Sequence, residues 1–292
     1  MKLSAGALLP WAVRAAWLVL PFVAGPTLAG ALDGRSVPVR SMASAGLWLG
    51  WAVVVVGVLV PHPISLTALR VAAPAALAAC AAAALSAEAT GAVPALAACA
   101  VMVALAFAAE TGTWMVNGVA YGDERRFVLR PPRALMVLPI PLAWLLLVAA
   151  VAGPPLLLAA GRWVAGGLAL IAGVPLALVL ARALHSLSLR WAVLVPAGLV
   201  IKDHLALADP VLIRRTDIEV LRPAATGTDA LDLTVGARGL ALEAQLREAV
   251  PLMRVVLGRR QGEPGRSARL RFTPTRPGAV LAAAAQRRIP VG

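Results

Sequence analysis

Charged residues are scarce in this chain. They make up 14% of its 292 residues, whereas a soluble globular domain has roughly 25%. Hydrophobic residues account for 60%, and the charges are unevenly spread, because residues 183–292 hold 16 Lys and Arg and 9 Asp and Glu. A single soluble domain is therefore excluded, and the composition predicts a membrane-embedded region followed by a water-exposed one.

Residue types that carry catalysis or bind metals are also few. Cys80 and Cys99 lie in apolar stretches with no His or further Cys at ligand spacing, which disfavours a disulfide framework and a metal site. The His residues are isolated, and the stretch AATGTDAL lacks the Lys of a phosphate-binding loop. We therefore expect no catalytic residue, no cofactor and no metal, and we predict that the protein is not an enzyme.

Aromatic residues account for only 4% of the chain, and Trp191 and Phe272 are the only two in the water-exposed third. The net charge of +13 would suit nucleic acid, but the sequence has neither a basic stripe with interleaved aromatics nor a recognised binding module. The surplus of Arg is better explained by cytoplasmic loops and anionic headgroups. We expect no nucleic-acid partner.

Long apolar runs, by contrast, are abundant. About 20 mostly apolar residues are needed for a helix to cross the hydrocarbon core. The sequence predicts six such helices, over residues 11–32, 41–60, 66–87, 89–109, 134–152 and 163–184. The first window also has features of a cleaved signal peptide, although Arg14 within it fits that alternative poorly.

The distribution of Lys and Arg predicts the orientation of these helices. The loop YGDERRFVLRPPR (121–133) carries four Arg and the segment after residue 184 carries sixteen basic residues, so both are predicted to be cytoplasmic. Two helices separate them, and counting back four more places the N-terminus, with Lys2, on the same side. Only DGRSVPVR (33–40) conflicts with this arrangement. The predicted location is a bacterial plasma membrane, crossed several times, with both termini cytoplasmic.

The loop at 121–133 combines interfacial, acidic and basic residues. Asp123 and Glu124 are predicted to pair with neighbouring Arg residues, and Glu110, at the end of the fourth window, is predicted to join an ion pair at the headgroup level. Two interpretations stay open. The loop is either a docking surface for the tail or for anionic lipid, or an ordinary cytoplasmic loop.

After residue 188 the pattern changes from apolar runs to alternation. WAVLVPAGLVIKD and PVLIRRTDIEVL predict short strands, and ARLRFTPT predicts another before a helix in PGAVLAAAAQRR. LDLTVGA (231–237) and LALEAQL (240–246) predict a hairpin around Arg238 and Gly239. Arg190 and Trp191 are expected at the headgroup level, so the short link after the last membrane helix should hold the tail at the membrane surface.

This order of short strands closed by a helix resembles the bacterial PH-like domain. The resemblance rests on WAVLVPAGLVIKD, PVLIRRTDIEVL and LRFTPTRPGAVLAAAAQRR and covers about residues 134–292. It implies a bent antiparallel sheet or partial barrel capped by a C-terminal helix, preceded by a membrane hairpin. The high content of Ala, Arg, Gly and Pro, with few Lys, indicates a GC-rich bacterial genome. The chain as a whole resembles conserved integral membrane proteins of actinobacteria.

The predicted fold class is therefore an all-α membrane bundle of about six helices (1–186) followed by a small, mainly-β PH-like domain with a C-terminal helix (187–292). The predicted function is a non-enzymatic, membrane-anchored adaptor or scaffold. The alternative is a permease or transporter subunit with a regulatory cytoplasmic domain, which the lack of acidic residues in mid-helix disfavours. The expected partners are the lipid bilayer, with anionic lipid or another protein contacting the tail. The candidate contacts are Arg125, Arg126, Arg130, Arg133, Arg190, Lys202, Arg214 and Arg215.

Overall fold

The chain folds into two compact units. A computed structural model describes residues 5–86, 91–256 and 262–292. The helical unit consists of Met1–Gly118 and Ile140–His185, and the β-unit consists of Val119–Pro139 and Ser186–Gly292. The β-unit thus resumes at Ser186, close to the boundary drawn from the sequence, but it also takes in residues 119–139, which the sequence analysis assigned to the membrane region. Lys2, used above to orient the N-terminus, lies outside the described residues.

The helical unit is built from long apolar helices. Five are long and apolar enough to cross a membrane, or up to six if one bent pair counts as a single span, which confirms the predicted multi-helix membrane region. Their bounds are α1 (Ala5–Gly30), α2 (Val37–Leu59), α3 (Pro63–Ser86), α4 (Ala92–Phe107), α5 (Ala109–Asn117), α7 (Pro139–Ala159) and α8 (Trp163–Leu187). A short α6 (Arg133–Val137) belongs to the β-unit.

The bent pair is α4 and α5, whose axes differ by 58°. The sequence predicted one helix over residues 89–109, with Glu110 at its end; instead Glu110 lies in the first turn of α5. The break exposes carbonyls that a continuous helix would satisfy, and side chains replace the missing donors. The Thr111 hydroxyl donates to the Leu105 carbonyl at 2.7 Å, and Arg70 Nε donates to the Ala106 carbonyl at 3.3 Å.

Two contacts show that α5 completes a crossing of the helical unit. Gly118, just after α5, packs against the connection between α2 and α3, where an added Cβ would lie 2.1 Å from the Pro61 carbonyl oxygen. Thr67, near the start of α3, lies 2.9 Å (Oγ1 to Nδ1) from His185, near the end of α8. The ends of α5 and α8 therefore lie at the same end of the helical unit as the start of α3.

The N-terminal half of α1 lies at that end too. Arg14 Nε donates to the carbonyl of Val58, near the end of α2, at 2.9 Å, and its guanidinium lies 5.4 Å from the ring centroid of Trp114 in α5. At the opposite end, an added Cβ on Gly91, which precedes α4, would lie 3.6 Å from Thr27 Oγ1 near the end of α1. The pair α4–α5 therefore runs from one end of the helical unit to the other.

The β-unit contains two four-stranded sheets and a closing helix, α9 (Pro277–Gln286). Sheet 1 has the order β1-β2-β3-β4 and is antiparallel throughout. Sheet 2 has the order β5-β7-β8-β6, with β6 parallel to β8. The strands are β1 (Arg125–Val128), β2 (Trp191–Val195), β3 (Gly198–Lys202), β4 (Val211–Arg214), β5 (Ile218–Pro223), β6 (Leu231–Asp232), β7 (Leu242–Arg254) and β8 (Glu263–Phe272).

Strand β1 comes from the loop between the membrane helices. Arg126 lies opposite Val193 in the antiparallel register, and Phe127 lies opposite Ala192. Phe127 and Leu129 are buried in the same core as Leu194, Leu199 and the C-terminal helix. Residues 119–139 therefore form part of the β-unit, and α7 and α8 together return the chain to it.

The hairpin predicted around Arg238 and Gly239 is wrong. Of residues 231–237 only Leu231 and Asp232 form a strand, and they pair in parallel with Leu270 and Arg271 of β8. Residues 242–246 form the start of β7, which pairs with β5 and β8 instead. Residues 235, 236 and 239 all have positive φ angles, so the chain makes a loop where the alternation suggested a continuing strand.

Candidate functional site

The outer face of sheet 1 carries basic side chains on three strands. Residues at alternate positions, such as Ala192, Leu199, Ile201 and Ile213, are buried in the core, so their neighbours along each strand face outward. The outward set contains Arg126, Lys202, Leu212 and Arg214. Lys202, Leu212 and Arg214 are exposed.

Trp191 positions two of these cations. Its indole lies between strands β1 and β3, with the Arg126 guanidinium carbon 4.6 Å and Lys202 Nζ 5.1 Å from the ring centroid. The indole Nε1 donates to the Ser188 carbonyl at 2.7 Å, and the ring is 7% exposed. Cations held over the face of a Trp gain electrostatic stabilisation from the ring, so the two basic groups are ordered on this face.

Arg190 does not belong to the exposed surface, contrary to the prediction that it lies among headgroups. It is 1% exposed. Its Nε and Nη2 atoms each donate to a carboxylate oxygen of Asp203 at 2.6 Å, and its Nη1 atom donates to the Arg130 carbonyl at 3.0 Å. Asp203 also accepts a bond from the Leu205 amide at 3.0 Å. The pair ties the start of β2 to the end of β3 and to the segment after β1.

The remaining candidate residues are spread over the β-unit. Arg125 is exposed at the start of β1, and Arg215 is exposed in the short 3₁₀ turn after β4. Arg133 is exposed at the start of α6. Arg130 is half-buried: its backbone amide donates to the Thr273 carbonyl at 2.8 Å, and its side chain packs against Gly239. Sheet 1 thus brings Arg126, Lys202 and Arg214 onto one face, and Arg130 and Arg133 lie elsewhere.

The predicted ion pairs are formed in part. Glu124 pairs with Arg126, two residues along the chain. Asp123 contributes its carbonyl rather than its carboxylate, as an acceptor for Arg287. Glu110 belongs to the helical unit, whereas Asp123 and Glu124 belong to the β-unit.

Sheet 2 differs from sheet 1 in how its Arg residues are paired. Four of the six Arg residues on its strands contact acidic side chains, and the other two, Arg247 and Arg266, donate to the Thr216 and Ala249 carbonyls. Arg222 pairs with buried Glu243 at 3.2 Å. Two further Arg–Asp pairs lie on β8, Arg269–Asp229 at 2.6 Å and Arg271–Asp232 at 2.9 Å. Within the part of the chain that the structure describes, Lys202 and Arg214 on sheet 1 and Arg215 in the turn after β4 have no acidic partner within 4.0 Å.

Burial, hydrogen bonds and neighbouring charges shift the pKa values of three groups in the β-unit. Burial would raise the pKa of Glu124, but the Tyr121 amide and Arg126 outweigh it and the pKa lies below its ordinary value. The Thr228 hydroxyl and then Arg222 lower the pKa of Glu243. Burial lowers the pKa of His204, which follows Asp203, and Arg190 and Lys202 lower it further against the opposing effect of Asp203. Both carboxylates are therefore charged, and His204 neutral, at pH 7.

Sequence reasoning missed two residues that define this region. Asp203 was explained as an ordinary turn residue, and only its position 13 residues after Arg190 could have suggested a cross-strand pair. Leu212 was not singled out, although alternation in VLIRR places it on the same face as Arg214.

In the described ranges 5–86, 91–256 and 262–292, no group of three or more His, Cys, Asp or Glu side chains is placed to hold a metal ion. The geometry instead describes a surface for binding, with ordered cations and one exposed Leu. Compared with known proteins, the chain matches no protein-family model, no curated protein sequence and no solved structure.

Proposed function

We propose that this protein is a non-enzymatic, membrane-anchored adaptor. In this proposal the apolar helices hold the β-unit at the cytoplasmic surface of a bacterial membrane. The outer face of sheet 1 binds an acidic surface of another protein.

The observation that carries the proposal is the difference in charge balance between the two sheets. Sheet 2 pairs four of its Arg residues with Asp and Glu, and its other two donate to backbone carbonyls. By contrast, Lys202 and Arg214 on sheet 1 and Arg215 in the turn after β4 have no acidic partner within 4.0 Å among the described residues. Leu212, 50% exposed, lies on the edge strand β4 on the same face as Arg214. Complementary charge steers association, and an exposed apolar side chain supplies contact area.

The cytoplasmic location is supported by charge. The β-unit holds 20 Lys and Arg against 11 Asp and Glu, a net charge of +9, while the helical unit holds the remaining 7 and 3. The basic residues within about 15 residues of a membrane helix carry this signal. They are Arg125, Arg126, Arg130 and Arg133 before α7, and Arg190 and Lys202 after α8. Basic residues so placed favour retention on the cytoplasmic side.

We also infer that the β-unit is a PH-like domain, as its sequence pattern suggested. Two small sheets enclosing one core, followed by a C-terminal helix whose Val280, Ala283 and Ala284 enter that core, support this assignment. A further strand from the membrane loop, β1, would then be this protein's own addition to the domain.

The adaptor proposal is tested by photocrosslinking in cells. A photoreactive amino acid at Leu212 of the full-length protein should form an adduct with a partner protein, which mass spectrometry identifies. The variant K202Q/R214Q/R215Q should lose most of that adduct, because it removes two positive charges from the face and one from the turn that adjoins it.

The matched control is R247Q/R266Q/R288Q, which removes the same charge from exposed residues elsewhere on the β-unit. It should retain the adduct at Leu212. The proposal is rejected if Leu212 yields no protein adduct, or if both triple variants lower the yield equally.

The alternative, a permease subunit, finds support in the break between α4 and α5, since discontinuous membrane helices often line substrate sites. Against it, Thr111 and Arg70 already satisfy carbonyls at the break. A water-filled pathway would make a cysteine at Thr111 reactive toward a small charged thiol reagent. The adaptor proposal predicts protection of that thiol, because Thr111 is buried.

A further inference from the structure

The loop at residues 234–240, here called the anchor loop, exposes apolar side chains on a fixed base. Val235 is 39% and Leu240 is 53% exposed, whereas Leu233 and Thr234 are buried. Val235 has a φ of 53°, which is unusual for a β-branched residue. Such conformations persist where the surrounding structure imposes them, and they concentrate at functional sites.

The anchor loop is tied to the segment that leads into α7. The Arg133 amide donates to the Gly236 carbonyl at 3.4 Å. Gly239 packs so closely on the Arg130 side chain that an added Cβ would lie 2.8 Å from its Nε atom. The anchor loop and residues 130–133 therefore form one surface within the β-unit.

The segment after Arg133 is apolar and exposed up to the start of α7. Met136, Val137 and Leu138 are 57%, 71% and 63% exposed, and α7 begins at Pro139 with the length and hydropathy of a membrane span. Consecutive Cα atoms lie about 3.8 Å apart. Residues 136–138 directly precede α7, so they lie close to the point at which α7 enters the bilayer. Exposure of apolar side chains to water is unfavourable, and lipid covers such side chains at the bilayer surface.

Basic residues flank this apolar surface. Arg133 and Arg238 are exposed, and in the residues for which the structure gives positions neither has an acidic side chain within 4.0 Å. Exposed apolar side chains flanked by Arg are typical of a segment that lies in the interface of an anionic membrane.

We propose that the anchor loop and residues 133–138 form a binding site for the headgroups of anionic phospholipids. Val235 and Leu240 insert at the boundary between headgroups and acyl chains, while Arg133 and Arg238 contact lipid phosphates. The site rests on the proposal that the helices anchor the protein in a membrane, but it does not depend on the partner-binding face of sheet 1.

The test places an environment-sensitive fluorophore on cysteines introduced into the full-length protein, in a C80A/C99A background. The protein is reconstituted in nanodiscs of zwitterionic phospholipid, with or without an anionic phospholipid. Labels at V235C and L240C should shift to the blue and be quenched by lipids carrying a nitroxide on the upper acyl chain. The matched control is V255C, because Val255 is 40% exposed on the same unit and should show neither effect.

The electrostatic part is tested with R133Q/R238Q in the V235C protein. Because a basic residue near an anionic surface contributes about a fivefold change in partitioning, the variant should insert less in anionic nanodiscs and match the parent in neutral ones. Equal quenching at positions 235 and 255 overturns the proposal, and so does insertion that neither anionic lipid nor R133Q/R238Q changes. Loss of the Leu212 adduct has no bearing on this result, so the two proposals fail separately.

Discussion

Replacing Asp203 should destabilise the β-unit strongly, because it leaves Arg190 charged and buried. Arg190 and Asp203 are 1% and 0% exposed at their side chains, and removing one partner of a buried ion pair costs about 3–5 kcal/mol. The variant D203N keeps an oxygen for the Leu205 amide, so its loss of stability should lie near the lower value. D203A removes all three hydrogen bonds that the Asp203 carboxylate accepts, so its loss of stability should lie near the upper value.

Hydrogen exchange of the full-length protein in nanodiscs measures this effect. Since about 1.4 kcal/mol corresponds to a tenfold change, amides of β2 and β3 should exchange about a hundredfold faster in D203N, and faster still in D203A. Peptides from α7 and α8 should exchange at the parent rate and serve as the internal control.

The double variant R190M/D203L tests the reason for the effect. It removes both charges and should recover most of the lost protection, because apolar residues of similar volume often replace a buried ion pair at little cost. A remaining deficit of about 2 kcal/mol is expected from the lost bonds to the Arg130 carbonyl and the Leu205 amide. Exchange in D203A within tenfold of the parent, or a double variant less stable than D203A, would refute the reasoning.

Two further predictions concern the sheets. G198A should open the pairing of β3 with β4, since an added Cβ would lie 2.0 Å from the Ile213 carbonyl oxygen. G278A is the control, because Gly278 has open space around it, and it should leave the protection of the β4 amides unchanged. Equal protection of the β4 amides in both variants would contradict this prediction. Glu243 has a lowered pKa, so its contribution to stability is present above the ordinary value of 4.5 and is lost as the pH falls through the folded-state value. Protection of β7 should therefore decline in acid more steeply in the parent than in E243Q, and parallel pH profiles would rule this out.

The helices could be predicted from the sequence because hydropathy over about 20 residues is a local signal. The origin of β1 could not, since RRFV is short and charged, and its partner β2 follows only after two membrane helices. The loop between the membrane helices thus supplies a strand to the β-unit.

The site was predicted only in outline. Alternation placed Lys202 and Arg214 on strands. Arg190 was expected at the surface because it follows a predicted membrane helix, and its burial against Asp203 becomes visible only in the folded structure. Val235 and Leu240 were assigned to strands because their apolar alternation resembles a hairpin. The left-handed conformation at Val235 depends on contacts with residues 130–133, far away in the sequence.

The side of the membrane on which the β-unit lies tests the account most directly. Single cysteines at Arg238, Gly292 and Arg162, all exposed positions, can be treated in intact cells with a membrane-impermeant maleimide, while Cys80 and Cys99 are buried. We expect labelling of R162C, in the connection between α7 and α8, and no labelling of R238C or G292C until the cells are opened. Labelling of R238C and G292C in intact cells, with R162C protected, would contradict both the cytoplasmic adaptor and its anchoring to the inner leaflet.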